Sequence, residues 1–506
     1  MWQPTNLEKE RLEKAQRLQD QGVTLYPARV TRSHTNQAAI SAFAAAETAQ
    51  APAPEVTVTG RVRRLNIKGK VAFMHIEDES SRLQLFLRVN DMDEATYNLV
   101  RDKLIEVDDF VQASGPMMRT QAGEISVAVR DLRLLAKAIS PLPVVKQQVQ
   151  DDGTVVEYGE FTDKETRYRQ RYADLAVNRS VREVFIKRSK TLRAMREFLD
   201  AEGMLEVETP ILQPVYGGAA ARPFTTFHNE LKQHLYLRIS FELYLKRLIV
   251  GGFDAVYEIG RDFRNEGVSF KHNPEFTMME FYKAFIDYMG VADIVERMTR
   301  YICQQVNGTT VIPYRQHTID LGQPWRRITM RQAISQATGI DYMAYPTADA
   351  LRQVIAERYN QTFRPDETWG KMVEHLFGEF VEPTLIQPTF ILDYPRDISP
   401  FAKRAEGDDR HVERWEVYIG GMELGNAFTE LNDPIDQQQR FEDMARLYRK
   451  DDDDATPLDE DYLRAMRYGM PPNGGFGMGV DRLVILLTNQ ESIRDVLLFP
   501  HLRDEK

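Results

Sequence analysis

The sequence predicts an α+β protein: a barrel of short strands near the N-terminus, then a larger domain built on an antiparallel sheet flanked by helices. Three observations lead there. From Glu55, apolar and polar residues alternate with period two in short runs broken by turn residues. Beyond Pro141 and Pro143, helical periodicities alternate with strand-like runs to the end of the chain. Neither a phosphate-binding glycine loop nor a strand-anchored dinucleotide fingerprint is found, which argues against a doubly wound sheet. At 506 residues the chain has room for two or three cores.

Residues 6 to 21 fit a helix, with Thr5 as its cap, Glu8 completing a capping box and Gly22 as its exit. The Ala- and Pro-rich stretch Ala42 to Pro54 is expected to be a linker or a loosely held turn, which makes 1–54 a helix plus linker. Strands are expected at Val56–Val58 with Arg61–Arg63, at Val71–Phe73 and at Leu83–Leu87. Turns at Asn66–Lys70 and Glu79–Ser81 separate them. A helix near Asp93–Leu104 follows, then two strands near Phe110–Ser114 and Ile125–Leu135, with Ala122–Gly123 between. Five strands and one helix across 55–143 is the pattern of an OB-type barrel. The loop cations Arg61, Arg63, Arg64, Lys68 and Lys70 offer phosphate contacts, and Phe73 offers a stacking ring. On this segment alone, a solvated hairpin with a core Phe fits equally well.

The second domain is expected over 144–506. Lys146 to Phe161 is polar and acidic, an exposed connection. A long helix runs from about Arg182 to Ala201, with Phe185, Ser189, Leu192, Met195 and Leu199 at helical spacing; Gly203 ends it. Leu205 to Glu208 is strand-like and is closed by Pro210. Lys232–His234 and the acid run Asp451–Asp454 are expected to be solvated loops.

Composition narrows the class without naming a partner. Hydrophobic content of 42% and charged content of 28% describe an ordinary globular chain. The single cysteine, Cys303, excludes an intramolecular disulfide framework and points to a reducing compartment. The N-terminal twenty residues are charged throughout, and no run of about twenty apolar residues follows. No membrane association and a cytoplasmic location are expected. A net charge of −11 argues against indiscriminate nucleic-acid binding, yet leaves room for a local basic surface.

The chemistry concentrates in Phe263 to Tyr282. An Arg–Asn–Glu triplet precedes Gly267, a short loop carries Lys271, His272 and Asn273, and Pro274–Glu275–Phe276 leads into an apolar run. Fixed cations, a His and an aromatic ring on one hairpin suit a nucleotide with its triphosphate. Glu280 and Tyr282, two apart, share a strand face and suit a small cation.

These residues resemble motif 2 of the class II aminoacyl-tRNA synthetases. Asn473 to Asn489, a Gly-rich strand running into a helix that starts with Asp481–Arg482, resembles motif 3. Gly203 to Leu212 is similar to motif 1, with Pro210 at the dimer interface. The barrel ahead of this core, together with Gly217 to Phe224, narrows the resemblance to bacterial-type lysyl-tRNA synthetases, over nearly the whole chain. It implies an ATP-dependent ligase that joins L-lysine to tRNA(Lys) through a lysyl-adenylate, with Mg2+ as cofactor and a homodimer as the working form.

The resemblance implies roles that the residue types can support. Arg264 would bridge the α-phosphate and the substrate carboxylate, since a guanidinium fork binds oxygens of both; a surface ion pair with Glu266 is the alternative. Glu266 and the backbone near Asn273 would read adenine, Phe276 would stack on it, and His272 and Arg482 would meet the outer phosphates. Glu416 and Glu423, seven apart around Gly420–Gly421, would hold magnesium through hard oxygens. Glu280, Tyr282 and Glu430 would take the lysine ε-ammonium, and Glu242 and Gly218 its α-amino group. Asn426 with Arg264 would take the carboxylate, and Phe428 would pack on the stem. In the barrel, Phe73 would stack on an anticodon base while Gln84 and Glu124 read base edges. Two departures stand out. Ser240–Phe241 replaces the Ala–Pro usual in bacterial relatives, and the connection around Gln147–Gly159 is longer. Neither is expected to touch a residue assigned to chemistry.

Overall fold

The computed structural model describes residues 2–143, 146–149, 155–158, 161–447 and 457–504. The chain divides into two compact units, Met1–Thr162 and Asp163–Lys506.

In the first unit, helix α1 (Asn6–Asp20) opens with the expected capping box. Thr5 Oγ1 accepts from the Glu8 amide, and the Thr5 amide donates to Glu8 Oε2 at 2.8 Å. Where a linker was expected, the structure has a second helix, α2 (Asn36–Thr48), capped by Thr35. Ala is the strongest helix former, and Ala39 and Phe43 bury against the strands, so packing turns an apparent linker into a helix.

Six strands follow: β1 (Glu55–Lys68), β2 (Val71–Glu77), β3 (Arg82–Arg88), β4 (Phe110–Arg119), β5 (Ile125–Ala128) and β6 (Asp131–Ala136). Helix α3 (Glu94–Arg101) lies between β3 and β4. Their order is β1-β2-β3-β5-β4-β6, and β1 also pairs with β4, so the sheet curls back on its first strand. Two strands stand where Ile125–Leu135 suggested one, because the chain breaks step at Val129–Arg130. The first turn is also tighter than expected. β1 continues through Lys68, which places Arg61, Arg63, Arg64 and Lys68 on a strand, leaving only Gly69 and Lys70 to turn. Arg61 stacks on Phe110 at 4.3 Å, and Arg63 pairs with Glu77 at 3.6 Å. Within the expected connection Lys146–Phe161, β7 (Lys146–Val149) and β8 (Val155–Tyr158) form a hairpin.

The second unit begins with short helices α4 (Lys164–Arg169) and α5 (Arg171–Val177), then the long α6 (Arg179–Ala201). After the two-residue β9 (Leu205–Glu206) comes a small sheet of β10 (Leu212–Gln213), β11 (Thr225–His228) and β12 (Gln233–Leu237). His234 therefore lies on a strand rather than in a loop, with the turn at Lys232. Helix α7 (Glu242–Val250) leads into β13 (Ala255–Phe263) and β14 (Glu275–Ala284), then α8 (Tyr288–Asn307). The hairpin β15 (Val311–Tyr314) and β16 (His317–Asp320) precedes β17 (Arg326–Thr329). Helices α9 (Met330–Thr338), α10 (Ala348–Tyr359) and α11 (Trp369–Phe380) come next. The chain then forms β18 (Thr389–Pro395), β19 (His411–Ile419), β20 (Met422–Thr429), α12 (Pro434–Leu447), α13 (Glu460–Arg467), β21 (Asn473–Gly479) and α14 (Val480–Thr488). The acid run Asp451–Asp454 lies outside the described residues.

The large sheet runs β17-β18-β19-β20-β21-β14-β13-β9. It is antiparallel except at its two end pairs. Helices α6, α8 and α14 cover one face, where Met195, Leu199, Val295, Met298 and Leu483 meet Met279, Phe281, Trp415, Phe476 and Met478. Strand alternation turns the intervening residues to the other face. Glu280 and Tyr282 on β14, Glu416 on β19, Asn426 and Phe428 on β20, and Gly475 and Gly477 on β21 all line a single cavity there.

Candidate active site

The cavity holds about 330 Å³. Every active-site residue expected from the sequence lines it, except Glu430.

One end is basic and aromatic. Arg264 is the first residue beyond β13, and its amide donates to Pro274 O at 2.8 Å, which closes the hairpin loop. Its guanidinium carbon lies 5.1 Å from the centre of the Phe276 ring. No ion pair joins it to Glu266 among the described residues; Glu266 stays exposed on the cavity wall. His272 Nδ1 meets Ser269 Oγ at 2.8 Å. Burial, and then the positive charges of Arg482, Lys271 and Arg264, hold its imidazole below the usual pKa. Asn273 is buried and donates to Glu275 O at 2.6 Å. Arg482, in the first turn of α14, donates to Glu423 O at 2.8 Å and Oε2 at 2.9 Å.

The paired glutamates stand on the β19–β20 hairpin, whose turn residues Gly420 and Gly421 adopt φ +66° and +71°. Glu416 accepts from Arg414 Nη2 at 2.6 Å, Tyr394 OH at 2.9 Å and Tyr418 OH at 2.5 Å. Burial pushes its carboxyl up, Arg414 opposes that, and the neighbouring Glu423 adds to it. Glu423 is only half-buried; burial raises its carboxyl, but the charge and hydrogen bond of Arg482, with Arg414 and Arg264 beyond, bring it below the usual range. Two hard carboxylates in one cavity fit a magnesium ion. Among the described residues no group of three or more His, Cys, Asp or Glu side chains suits a metal, so these two would supply only part of its oxygen shell.

The other end is acidic and enclosed. Glu280 Oε2 accepts from Tyr282 OH at 3.2 Å, and Oε1 accepts from Ser240 Oγ at 2.9 Å. Ser240 therefore does touch the central carboxylate, contrary to the sequence expectation. The hydroxyl that replaces an alanine methyl has the reach to donate. Ser240 Oγ also accepts from the Glu242 amide at 3.1 Å. Burial, then the charges of Asp262 and Glu242, raise the Glu280 carboxyl to about 8. Asn426 Oδ1 accepts from Arg414 Nε at 3.0 Å. Glu242 and the fully buried Glu430 both pair with Lys246, and Glu430 sits behind the wall rather than on it. Gly475 is what lets the wall close. A Cβ there would lie 2.2 Å from Glu430 Oε1 and 2.3 Å from Tyr282 Cε1. Gly218, at φ +87°, fits against Ser240 and Glu242 in the same way, with 3.0 Å to each.

The family model described as tRNA synthetases class II (D, K and N) matches residues 163–503, two thirds of the chain and all of this site. The chain belongs to that family. A second model, the OB-fold nucleic acid binding domain, matches residues 56–135. The lysine–tRNA ligase of Chloroflexus aurantiacus is 50% identical over 99% of this chain and 98% of its own length. Those of Roseiflexus castenholzii and Dehalococcoides mccartyi are 49% and 46% identical, over 98% and 99% of this chain and 98% of each relative.

In the first unit of this synthetase, the three residues expected to read an anticodon fall on one outer face of the curled sheet. Gln84 Nε2 donates to Glu124 Oε2 at 2.6 Å, and Ser126 Oγ donates to Gln84 Oε1 at 2.8 Å. Phe73 packs against Phe86 with centroids 5.3 Å apart. His75 joins the cluster at 2.9 Å from Glu124. Sequence reasoning passed over His75 and Phe86, although each lies two residues from an assigned one and so on the same strand face. It also passed over Arg414, two from Glu416, and Lys246, one helical turn from Glu242. Charges at such spacings usually lie on solvated faces, so spacing alone did not mark them.

Proposed function

We propose that this chain works as a lysine–tRNA ligase whose two steps share the one cavity. The observation that carries the reading is the polarity of that cavity: cations and an aromatic ring at one end, and the hydrogen-bonded Glu280–Tyr282 pair at the other.

ATP lies with adenine on Phe276 and its phosphates toward His272 and Arg482. Lysine enters with its ε-ammonium at Glu280 and Tyr282, its stem on Phe428, and its α-amino group by Glu242 and Gly218. Asn426 and Arg264 hold the carboxylate. A carboxylate oxygen attacks the α-phosphorus, the carboxyl–phosphate bond forms, and the α–β bridging bond breaks to release pyrophosphate. The chain's own contribution is placement and charge neutralisation, since phosphoryl chemistry of this kind needs little acid–base help. Neutral His272 donates to a phosphate oxygen without adding positive charge. Glu416 and Glu423 would hold the magnesium ion, which when bound neutralises phosphate charge. A ribose hydroxyl at the tRNA 3′ end then attacks the activated carbonyl, and AMP leaves.

Other readings fit the pocket poorly. Aspartate would set its carboxylate against Glu280, and asparagine brings no charge to neutralise it. Anticodon bases stack on Phe73 and meet Gln84 and Glu124 on the outer face of the first unit. The working form is a homodimer, supported by the solvent-exposed Leu205, Ile211 and Leu212 around edge strand β9 and Pro210. We place it in the cytoplasm, beside its tRNA; among the described residues no helix is long and apolar enough to cross a membrane.

Replacing Glu280 with Gln tests the amino-acid end. Loss of a charged hydrogen bond is worth about 1.5–3 kcal/mol, so lysine affinity is expected to fall about 10- to 100-fold while ATP affinity holds. A parallel loss of both would show that Glu280 only supports the fold.

A further inference from the structure

Behind the nucleotide end of the cavity, on the helix-covered face of the sheet, three side chains from distant parts of the chain meet. Arg188 reaches up from α6. Its Nη1 lies 2.5 Å from Asp481 Oδ1, and its Nη2 donates to Thr277 Oγ1 at 2.9 Å. Nη1 also donates to Val496 O at 3.2 Å. Asp481 closes the triangle, since its Oδ2 accepts from the Thr277 amide at 2.8 Å. The Arg188 and Asp481 side chains are 13% and 2% exposed, and Thr277 is buried. A pair so enclosed holds its geometry, because separating it would leave a charge without a partner.

Each anchor of this triangle adjoins a residue given to the nucleotide. Thr277 follows Phe276 on β14, and Asp481 precedes Arg482 at the start of α14. Alternation sends the Phe276 ring into the cavity and the Thr277 hydroxyl to the helix side. The main-chain ladder between β14 and β21 ends at the rung Met278–Gly479. One residue further, the Asp481 carboxylate takes the Thr277 amide, so side chains continue the join where the ladder stops. Glu423 directs the Arg482 guanidinium, while the triangle sets where its main chain stands.

We propose that Arg188 is a positioning residue for the nucleotide: by holding Thr277 and Asp481 together it fixes the span from the Phe276 ring to the Arg482 guanidinium, which ATP must bridge. The inference rests on the nucleotide reading above and deepens it. Arg188 itself touches neither substrate. Its planar fork serves two partners at once in a fixed geometry, which the single point of a lysine ammonium does not.

The test uses the full chain with Arg188→Lys, which keeps the charge and loses the fork. Pyrophosphate exchange gives kcat/KM for ATP and KM for lysine, and inhibition by adenosine reads the Phe276 end alone. Misplacing a binding group by about 1 Å costs up to about 100-fold. The kcat/KM for ATP is therefore expected to fall about 10- to 100-fold, with lysine KM and adenosine inhibition within about twofold of the unaltered chain. An unchanged kcat/KM for ATP overturns the proposal. So does a matching loss for adenosine or for lysine, which would make the triangle a support of the fold. Should Arg188→Lys fail to fold, Thr277→Val decides, since it deletes the hydroxyl and keeps the amide bond to Asp481. The ATP KM is then expected to rise about 2- to 10-fold with adenosine inhibition unchanged. No rise, or the same rise in both, overturns the proposal. An unaltered chain whose exchange adenosine does not inhibit refutes the nucleotide reading itself, and this inference with it.

Discussion

In the proposed function, amino-acid choice turns on Glu280, and the environment of that residue gives the proposal a signature in pH. Burial beside Asp262 and Glu242 raises its carboxyl from an ordinary 4.5 to about 8. A lysine ammonium favours the ionised form, so binding must first remove the proton at lower pH. Lysine affinity is therefore expected to climb as pH rises toward 8 and to level off above it, with Glu280→Gln flattening the slope. A lysine KM that stays constant from pH 6 to 9 would contradict this. The sign for stability is opposite: a carboxyl raised in the folded state loses stabilisation as pH climbs from about 4.5 to about 8, and bound lysine offsets that loss. At this scale the sequence was legible where spacing implies a shared face, as with Glu280 and Tyr282 two apart on β14. It was opaque where a partner comes from another element. Ser240 reaches Glu280 across 40 residues, and Lys246 on α7 pairs with Glu430, the first residue beyond β20. No local pattern encodes such a meeting.

Elements build the two proposed recognition surfaces by simple alternation. On β14, Met279 and Phe281 enter the core while Glu280 and Tyr282 face the cavity. On β2, Met74 and Ile76 are buried while Phe73 and His75 face outward. The β2–β3 face then presents Phe73 and Phe86 as a stacking platform beside the Gln84–Glu124 pair. Base–aromatic stacking is worth about 1–3 kcal/mol, so Phe73→Ala is expected to raise the tRNA KM about 5- to 100-fold and leave lysine-dependent pyrophosphate exchange untouched. A change in exchange with tRNA binding intact would remove the platform from the account. The periodicities of β1 to β4 and the caps of α1 were visible in the chain because they are local. Helix α2 was not. Its Ala-rich sequence becomes ordered through Ala39 and Phe43 in the core of the first unit, a tertiary effect that composition does not carry. The split between β5 and β6 was passed over, although the apolar alternation slips by one residue between Val129 and Leu132, across Arg130 and Asp131.

Over the whole molecule, a net charge of −11 is compatible with the tRNA substrate proposed above, because phosphate contacts need only a local patch, which the exposed Arg64, Lys68 and Lys70 of the first unit would offer. The second unit leaves Leu205, Ile211 and Leu212 uncovered at the edge of its sheet. An unpaired edge with apolar side chains is a natural interface, and light scattering is expected to give twice the chain mass of 58.5 kDa. A stable, active monomer would exclude that assembly. The proposed function puts amino-acid choice and nucleotide chemistry in a single cavity, and one assay reads both: ATP–pyrophosphate exchange run with each of the twenty amino acids. Exchange driven by lysine alone is the expected result. Exchange driven by aspartate or asparagine, with lysine silent, would contradict the assignment of the acidic end to an ammonium side chain.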